Sequence, residues 1–278
     1  MSRERRLFRW CGSKHHLAPR IAPMIRAHLE QTGGKLVSLF YGGGAIEQVV
    51  GLPGARQVAA DACDDLRGLY ASLDWGAEDV WRAVHELDRL AGRSRAGYMR
   101  VRASLPPSQD GRAARFIYLL SLAYNGLWRV NSVGSHNVAP DPGRLKKREP
   151  FPPLELYEET RRLTRGIRFY RDWTEAAREA QAGDVVLADP PYGDFDAYTP
   201  GGFSARDHRL LASCLRQLFK TGCAIIAFNG PGAETLYHWA KVEEVFRSGR
   251  ISCKADGRED VAELLITAGL RAAARAVG

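Results

Sequence analysis

A chain of 278 residues, 45% apolar and 26% charged, holds the material of one large core or two modest ones, and its composition excludes a disordered, collagenous or membrane-embedded protein. Forty basic side chains against 32 acidic ones leave a net charge of +8, which favours a polyanionic partner. Five scattered cysteines (Cys11, Cys63, Cys214, Cys223, Cys253) form no C-x-x-C, and no histidine stands at ligand spacing from them, so a reduced cytoplasmic chain without a metal site is expected. No segment approaches about 18 consecutive apolar residues, so neither export nor a membrane span is expected.

Along the chain, Leu36 to Phe40 reads as a strand, followed by Tyr41-Gly42-Gly43-Gly44 and a helix through about Leu52. Residues Gln57 to Ala60 read as a second strand ending at Asp61, with a helix from about Asp64 to Leu73 behind it. From about 74 to 175 the pattern is helical and rich in arginine, then loop-like. Arg144, Lys146, Lys147 and Arg148 crowd there between prolines. The strand pattern resumes at Asp184 to Ala188. Ser204 then caps a helix, with Asp207 three residues on as a capping box, and Leu210, Leu211, Cys214, Leu215, Leu218 and Phe219 keep the helical period. Cys223 to Phe228, Val242 to Arg247 and Val261 to Ala268 complete the strands. Apolar strands alternating with helices predict an α/β domain, residues 1–73 and 176–278, with a mostly parallel sheet covered on both faces. A mostly helical segment, residues 74–175, interrupts it.

Three glycines between a strand and a helix let a ligand approach the backbone, although a tight turn also uses them. Neither a G-x-G-x-x-G dinucleotide pattern nor a phosphate-loop lysine is present. Asp61 ends the neighbouring strand, at the carboxyl edge where open α/β sheets bind ligands, and can accept both hydroxyls of a ribose; a helix cap is the alternative. A ribose-binding acid beside a glycine turn without phosphate chemistry suggests S-adenosyl-L-methionine.

The strand at 184–188 runs into Asp189-Pro190-Pro191-Tyr192, where two prolines end the ladder and stiffen the chain. An exocyclic amine is a poor nucleophile because its lone pair is delocalised into the ring. The Asp189 carboxylate and the Pro190 carbonyl can accept its two N–H bonds, Pro191 holds the geometry and Tyr192 offers a stacking face. A fixed carboxylate also stabilises the positive charge that grows on nitrogen during methyl transfer. A base in a duplex must be flipped out to reach such a corner. The insert carries Tyr124, Asn125, Trp128, Arg129, Asn131 and Asn137, with side chains suited to base edges, and Arg144, Lys146 and Lys147 suit phosphates.

Together these segments resemble the Dam-type DNA adenine-N6 methyltransferases, the D12 class or α group. "FRWCGSKHHLAPRI" is similar to that family's W-x-G-x-K opening, which implies Trp10 and Lys14 as cofactor-site residues. "LFYGGGAIE" resembles its F-x-G-x-G loop, through Phe40, Gly42 and Gly44, and "AADACDDLRGLY" its ribose segment, with Asp61 as the acid. "YNGLWRVN", "HNV" and "GRLKKREPFP" resemble its DNA-reading hairpin and the loop behind it, and D-P-P-Y matches in full. The resemblance implies a class I S-adenosylmethionine-dependent (Rossmann-like) fold with an inserted DNA-recognition domain. It implies methylation of adenine N6 in double-stranded DNA by a monomer of bacterial or viral origin, and leaves open whether a restriction endonuclease is a further partner. Two departures stand out. Ser38-Leu39-Phe40 replaces Glu-Pro-Phe, with Glu47 too far along the next helix to be assumed as the replacement for the lost acid, and the stretch from Tyr192 to Tyr198 is short. The alternatives are N4-cytosine methylation and a catalytically weak DNA-binding relative.

Overall fold

The computed structural model describes residues 6–131, 133–192, 202–247 and 261–271. Cys253 and the short stretch leading to Tyr198 lie outside them. The first half of the sheet system comprises α1 (Ala18–Thr32), β1 (Leu36–Ser38), α2 (Glu47–Val50), β2 (Gln57–Ala60) and α3 (Asp64–Trp75). Five helices follow: α4 (Ala77–Ala91), α5 (Arg95–Ala103), α6 (Gln109–Leu122), α7 (Pro142–Leu145) and α8 (Leu154–Thr164). The chain then returns through β3 (Arg168–Tyr170), α9 (Trp173–Arg178), β4 (Val185–Ala188), α10 (Ala205–Lys220), β5 (Ala224–Asn229), β6 (Lys241–Arg247) and β7 (Val261–Ala268).

The strands form one sheet in the order β3-β2-β1-β4-β5-β7-β6. The first five are parallel, and β7 runs antiparallel between β5 and β6. Side chains alternate across the pleat, so both faces need cover. Val37, Leu39, Val186 and Ala188 pack with α9 and α10, while Leu36, Val185 and Leu187 pack with Ile21, Ile25 and Leu29 of α1. That double burial explains the unbroken apolar runs. The predicted strands stand within one or two residues of the observed ones, and the Ser204–Asp207 capping box is present.

Strand β3 is a difference. It pairs with β2 inside the 74–175 stretch that reads as helix and loop. Only three residues long, with an exposed arginine and half-buried rings, it carries neither an apolar run nor a clean alternation. The helices between β2 and β3 share an aromatic-rich core with α3, which includes Leu66, Tyr70, Tyr98, Phe116 and Tyr157. Strand order reverses between β1 and β4, which are direct neighbours, and this is the place in an open α/β sheet where the crevice for a ligand forms.

Candidate active site

Two of the three glycines of the strand-to-helix turn are there for conformational reasons. Gly42 and Gly44 have φ of +51° and +63°, in the left-handed region, and a Cβ on Gly42 would stand 2.8 Å from Cδ1 of Trp10. The Trp10 ring thus lies against the turn. The Asp61 carboxylate accepts the Gly42 N–H at 2.8 Å through Oδ2 and the Cys63 N–H at 2.9 Å through Oδ1. Tyr70 donates its hydroxyl to the Gly42 carbonyl at 2.9 Å. Burial pushes the Asp61 carboxyl up while the two N–H donors pull it down. Asp61 ties the ends of β1 and β2 together, and each of its oxygens keeps a second acceptor direction. The Phe40 ring is stacked on Trp173 and stands edge-on to Phe203.

At the end of β4, Asp189 is one quarter exposed and its Oδ1 lies 2.8 Å from Nζ of Lys14, which is almost fully buried. Lys14 also donates to the Gly12 carbonyl at 2.9 Å and stands 3.9 Å from Oε2 of buried Glu263 on β7. Its Nζ is 5.2 Å from the Tyr192 ring centroid and 5.3 Å from that of Phe228. The cation therefore sits among two carboxylates, a carbonyl and two aromatic faces, which compensates its burial. Read without the resemblance, Lys14 looks like a surface lysine. The remote strand β7 is what buries it. Pro190 is buried, and the Tyr192 ring lies against Gly230, where a Cβ would be 3.4 Å from the ring.

A second acid enters the site from α2. Ser38 donates its hydroxyl to Oε1 of Glu47, and the Ile46 N–H donates to Oε2 at 3.2 Å. Burial, reinforced by the Asp189 charge and opposed by the Ser38 hydrogen bond, raises the Glu47 carboxyl to about 7. The sequence gives no ground for assuming that Glu47 reaches this place; the structure sets its carboxylate on Ser38. Helical side chains tilt toward the N-terminus, so a residue in the first turn of α2 reaches back to the end of β1. Glu263 is the other acid missed. A lone carboxylate in the apolar run 261–268 was the signal available for it.

The reading segment is a hairpin, closed by antiparallel bridges Ala123–Pro140 and Val130–His136. Tyr124 is exposed at its base and Asn125 has a φ of +54°. Exposed Arg129 donates from Nε to Oδ1 of Asn137 at 2.8 Å. Asn131 accepts the N–H groups of Val133 and Ser135, which shapes the turn. Arg144 donates to the Ser121 carbonyl at 2.9 Å beneath Gly126 and is held partly buried, whereas Lys146 and Lys147 are exposed.

A family model described as D12 class N6 adenine-specific DNA methyltransferase matches residues 10–252. A "DNA adenine methylase" of Serratia marcescens is 31% identical over 279 residues, covering 95% of this chain and 98% of the relative. A protein of the same description from Salmonella typhi is 29% identical over 275 residues, covering 95% of each. A "Type II methyltransferase M1.LlaDCHI" of Lactococcus lactis subsp. cremoris is 28% identical over 279 residues, covering 93% of each.

Proposed function

The chain belongs to the D12 class of N6 adenine-specific DNA methyltransferases, and from that premise we propose that the Asp189–Tyr192 corner receives a flipped adenine beside S-adenosyl-L-methionine held at the turn 42–44. Its reaction is methylation of adenine in DNA, so the N4-cytosine and inert-binder alternatives give way. The observation that carries the site reading is the ion pair between buried Lys14 and partly exposed Asp189 at the end of β4, beside the glycine turn that ends β1.

The cofactor's fit is supported by the turn itself. The left-handed φ values at Gly42 and Gly44 give the turn a tight curve that side-chain-bearing residues resist, Asp61 keeps acceptor directions for a ribose, and the Trp10 ring lies against the same turn. The family uses S-adenosyl-L-methionine, which supplies an electrophilic methyl group. Everything else falls to the chain. Lys14 holds Oδ1 of Asp189 and so orients the carboxylate. Asp189 and the Pro190 carbonyl accept the two amine hydrogens, which favours a localised lone pair on nitrogen. The same carboxylate stabilises the cation formed on transfer and is an acceptor for the proton that nitrogen then loses. Pro191 stiffens the corner, and the Tyr192 ring covers the base.

Double-stranded DNA requires the base to be extruded, with unstacking of a few kcal/mol. We assign target recognition to the helical segment within 74–175, with the sheet resuming at Arg168. Tyr124, Asn125 and Arg129 are the contacts at base level, and Lys146 and Lys147 meet phosphates. Asn131, Asn137 and Arg144 serve mainly as braces for that surface. Among the described residues no helix is long and apolar enough to cross a membrane. We take the chain to act as a monomer. The type II designation of the Lactococcus relative favours a restriction endonuclease as a second partner. Transfer of labelled methyl to adenine in duplex DNA, abolished in Asp189→Ala with cofactor binding retained, tests the site assignment. Unchanged transfer in that variant, or label recovered in cytosine, rejects it.

A further inference from the structure

Among the described residues, cross-strand backbone pairing in the reading hairpin is sparse: one bridge, Ala123–Pro140, flanked by bonds from the Tyr124 N–H to the Ala139 carbonyl at 2.9 Å and from the Asp141 N–H to the Leu122 carbonyl at 2.8 Å, and one, Val130–His136, flanked by bonds from the Asn131 N–H to the Ser135 carbonyl at 2.9 Å and from the Asn137 N–H to the Arg129 carbonyl at 3.0 Å. A two-stranded ribbon of this kind is marginal by itself in water. Its two outward side chains, Arg129 and Asn137, are paired with each other. Their chain neighbours Trp128 and His136 point inward, as alternation along a strand requires, and both are buried.

The inward pair is clamped. The His136 ring lies parallel to the Trp128 indole, with centroids 4.3 Å apart and planes at 21°. Its Nε2 is 3.0 Å from the Tyr98 hydroxyl, which itself donates to the Val138 carbonyl at 3.1 Å. In either tautomer one ring nitrogen is therefore tied to the Tyr98 hydroxyl. Trp128 rests in turn on Phe116 of α6, with centroids 4.4 Å apart. Burial, then the nearby Arg115 and Arg102, push the imidazole down to about 3, so His136 is neutral wherever the enzyme works. Its contribution is shape and one directed hydrogen bond.

We infer that His136 is a positioning residue for sequence recognition: locked between Trp128 and Tyr98, it fixes the strand pair that presents Arg129, braced by Asn137, to the DNA. The inference rests on the reading of Arg129 as a base contact. Arg129 has one guanidinium edge occupied by Asn137, so its remaining N–H groups point in a set direction. Two-pronged contact with a base edge depends on that direction, whereas phosphate contact does not. A loosened hairpin therefore still binds DNA and still flips a base, but chooses its site less well.

The test uses the full-length enzyme, S-adenosyl-L-methionine and plasmid DNA of varied sequence, with methylated adenines located by sequencing. His136→Ala is expected to lower the rate ratio between the preferred site and sites altered at one base by about tenfold, the lower end of what a two-pronged base contact discriminates. The kcat at the preferred site and cofactor affinity stay near wild type. Tyr98→Phe, a milder change that keeps the ring, is expected to move the ratio in the same direction by less, and covers the case in which His136→Ala does not fold. In an Arg129→Ala background, His136→Ala causes no further loss of discrimination, although it still lowers the melting temperature. Unchanged site ratios in both single variants, or an equal further loss without Arg129, overturn the inference. If Arg129→Ala alone leaves the site preference intact, it is the base-contact reading that fails.

Discussion

The Ser38 hydroxyl at the end of β1 is hydrogen-bonded to the carboxylate of Glu47, which reaches back from α2 over the glycine turn. An acid absent from the strand is thus supplied by the following helix, with its charge facing that of Asp189. The pair explains how a buried carboxylate comes to lie at the end of β1, where the strand itself carries Ser38.

That carboxyl has a pH signature. Its folded value of about 7 lies above the free value of 4.5, so between those pH values the folded chain holds a proton the unfolded chain has lost. The contribution to stability is complete below about pH 4.5 and declines as pH rises through 7. Glu47→Gln, always neutral, should melt close to wild type near pH 5 and above it near pH 8.5. The expected gain is roughly 1–3 kcal/mol, since a tenfold change in proton affinity corresponds to about 1.4 kcal/mol. Calorimetry across that range checks it; parallel curves for the two proteins would contradict the assignment.

Lys14 compensates two acids, Asp189 at 2.8 Å and Glu263 at 3.9 Å. Lys14→Met leaves both facing one site without their shared cation. Breaking a buried pair from one side costs about 3–5 kcal/mol at full burial, and less here because Asp189 is partly exposed. Single-turnover transfer should fall by about 100-fold or more. Lys14→Arg should not restore it, because a planar fork does not fit a pocket shaped for a point charge between two rings. Recovery of full activity in the arginine variant would show that only charge matters.

Gly42→Ala combines backbone strain with a clash. The φ of +51° is unfavourable for alanine by about 1–2 kcal/mol, and the new Cβ meets Trp10 at 2.8 Å. Cofactor titration and thermal melting should both suffer. Adding Trp10→Ala relieves the clash and not the strain, so the double variant should regain part of the melting temperature without regaining affinity for the cofactor. An undiminished titration in Gly42→Ala would remove the turn from the binding site.

The basic stretch behind the hairpin divides by burial. Lys146→Ala and Lys147→Ala should each lower the slope of log affinity for duplex DNA against log salt by about one, with no change in melting temperature. Arg144→Ala, which withdraws the brace to the Ser121 carbonyl beneath Gly126, should lower the melting temperature instead. Salt titrations and melting curves on the three variants separate these roles; identical behaviour of all three would refute the division.

The sequence by itself determined those features whose cause is local. Capping at Ser204 and Asp207, the double-faced apolar strands and the left-handed glycines at 42 and 44 follow from turn chemistry and periodicity within a few residues. The Asp-Pro-Pro-Tyr corner is legible for the same reason, since two prolines can only end a ladder. Strand β3 was hidden because three half-exposed residues have no pattern of their own and exist as a strand only through β2. Tertiary structure alone decided which polar groups share a low-dielectric site. Lys14 is buried by Glu263, Phe228 and Tyr192 from elements more than a hundred residues away, Glu47 is turned onto Ser38 by the pitch of α2, and His136 is held by Tyr98 of α5. Burial and partnership set the charge and direction of these side chains, and for Lys14 and His136 both depend on neighbours that are remote in the chain.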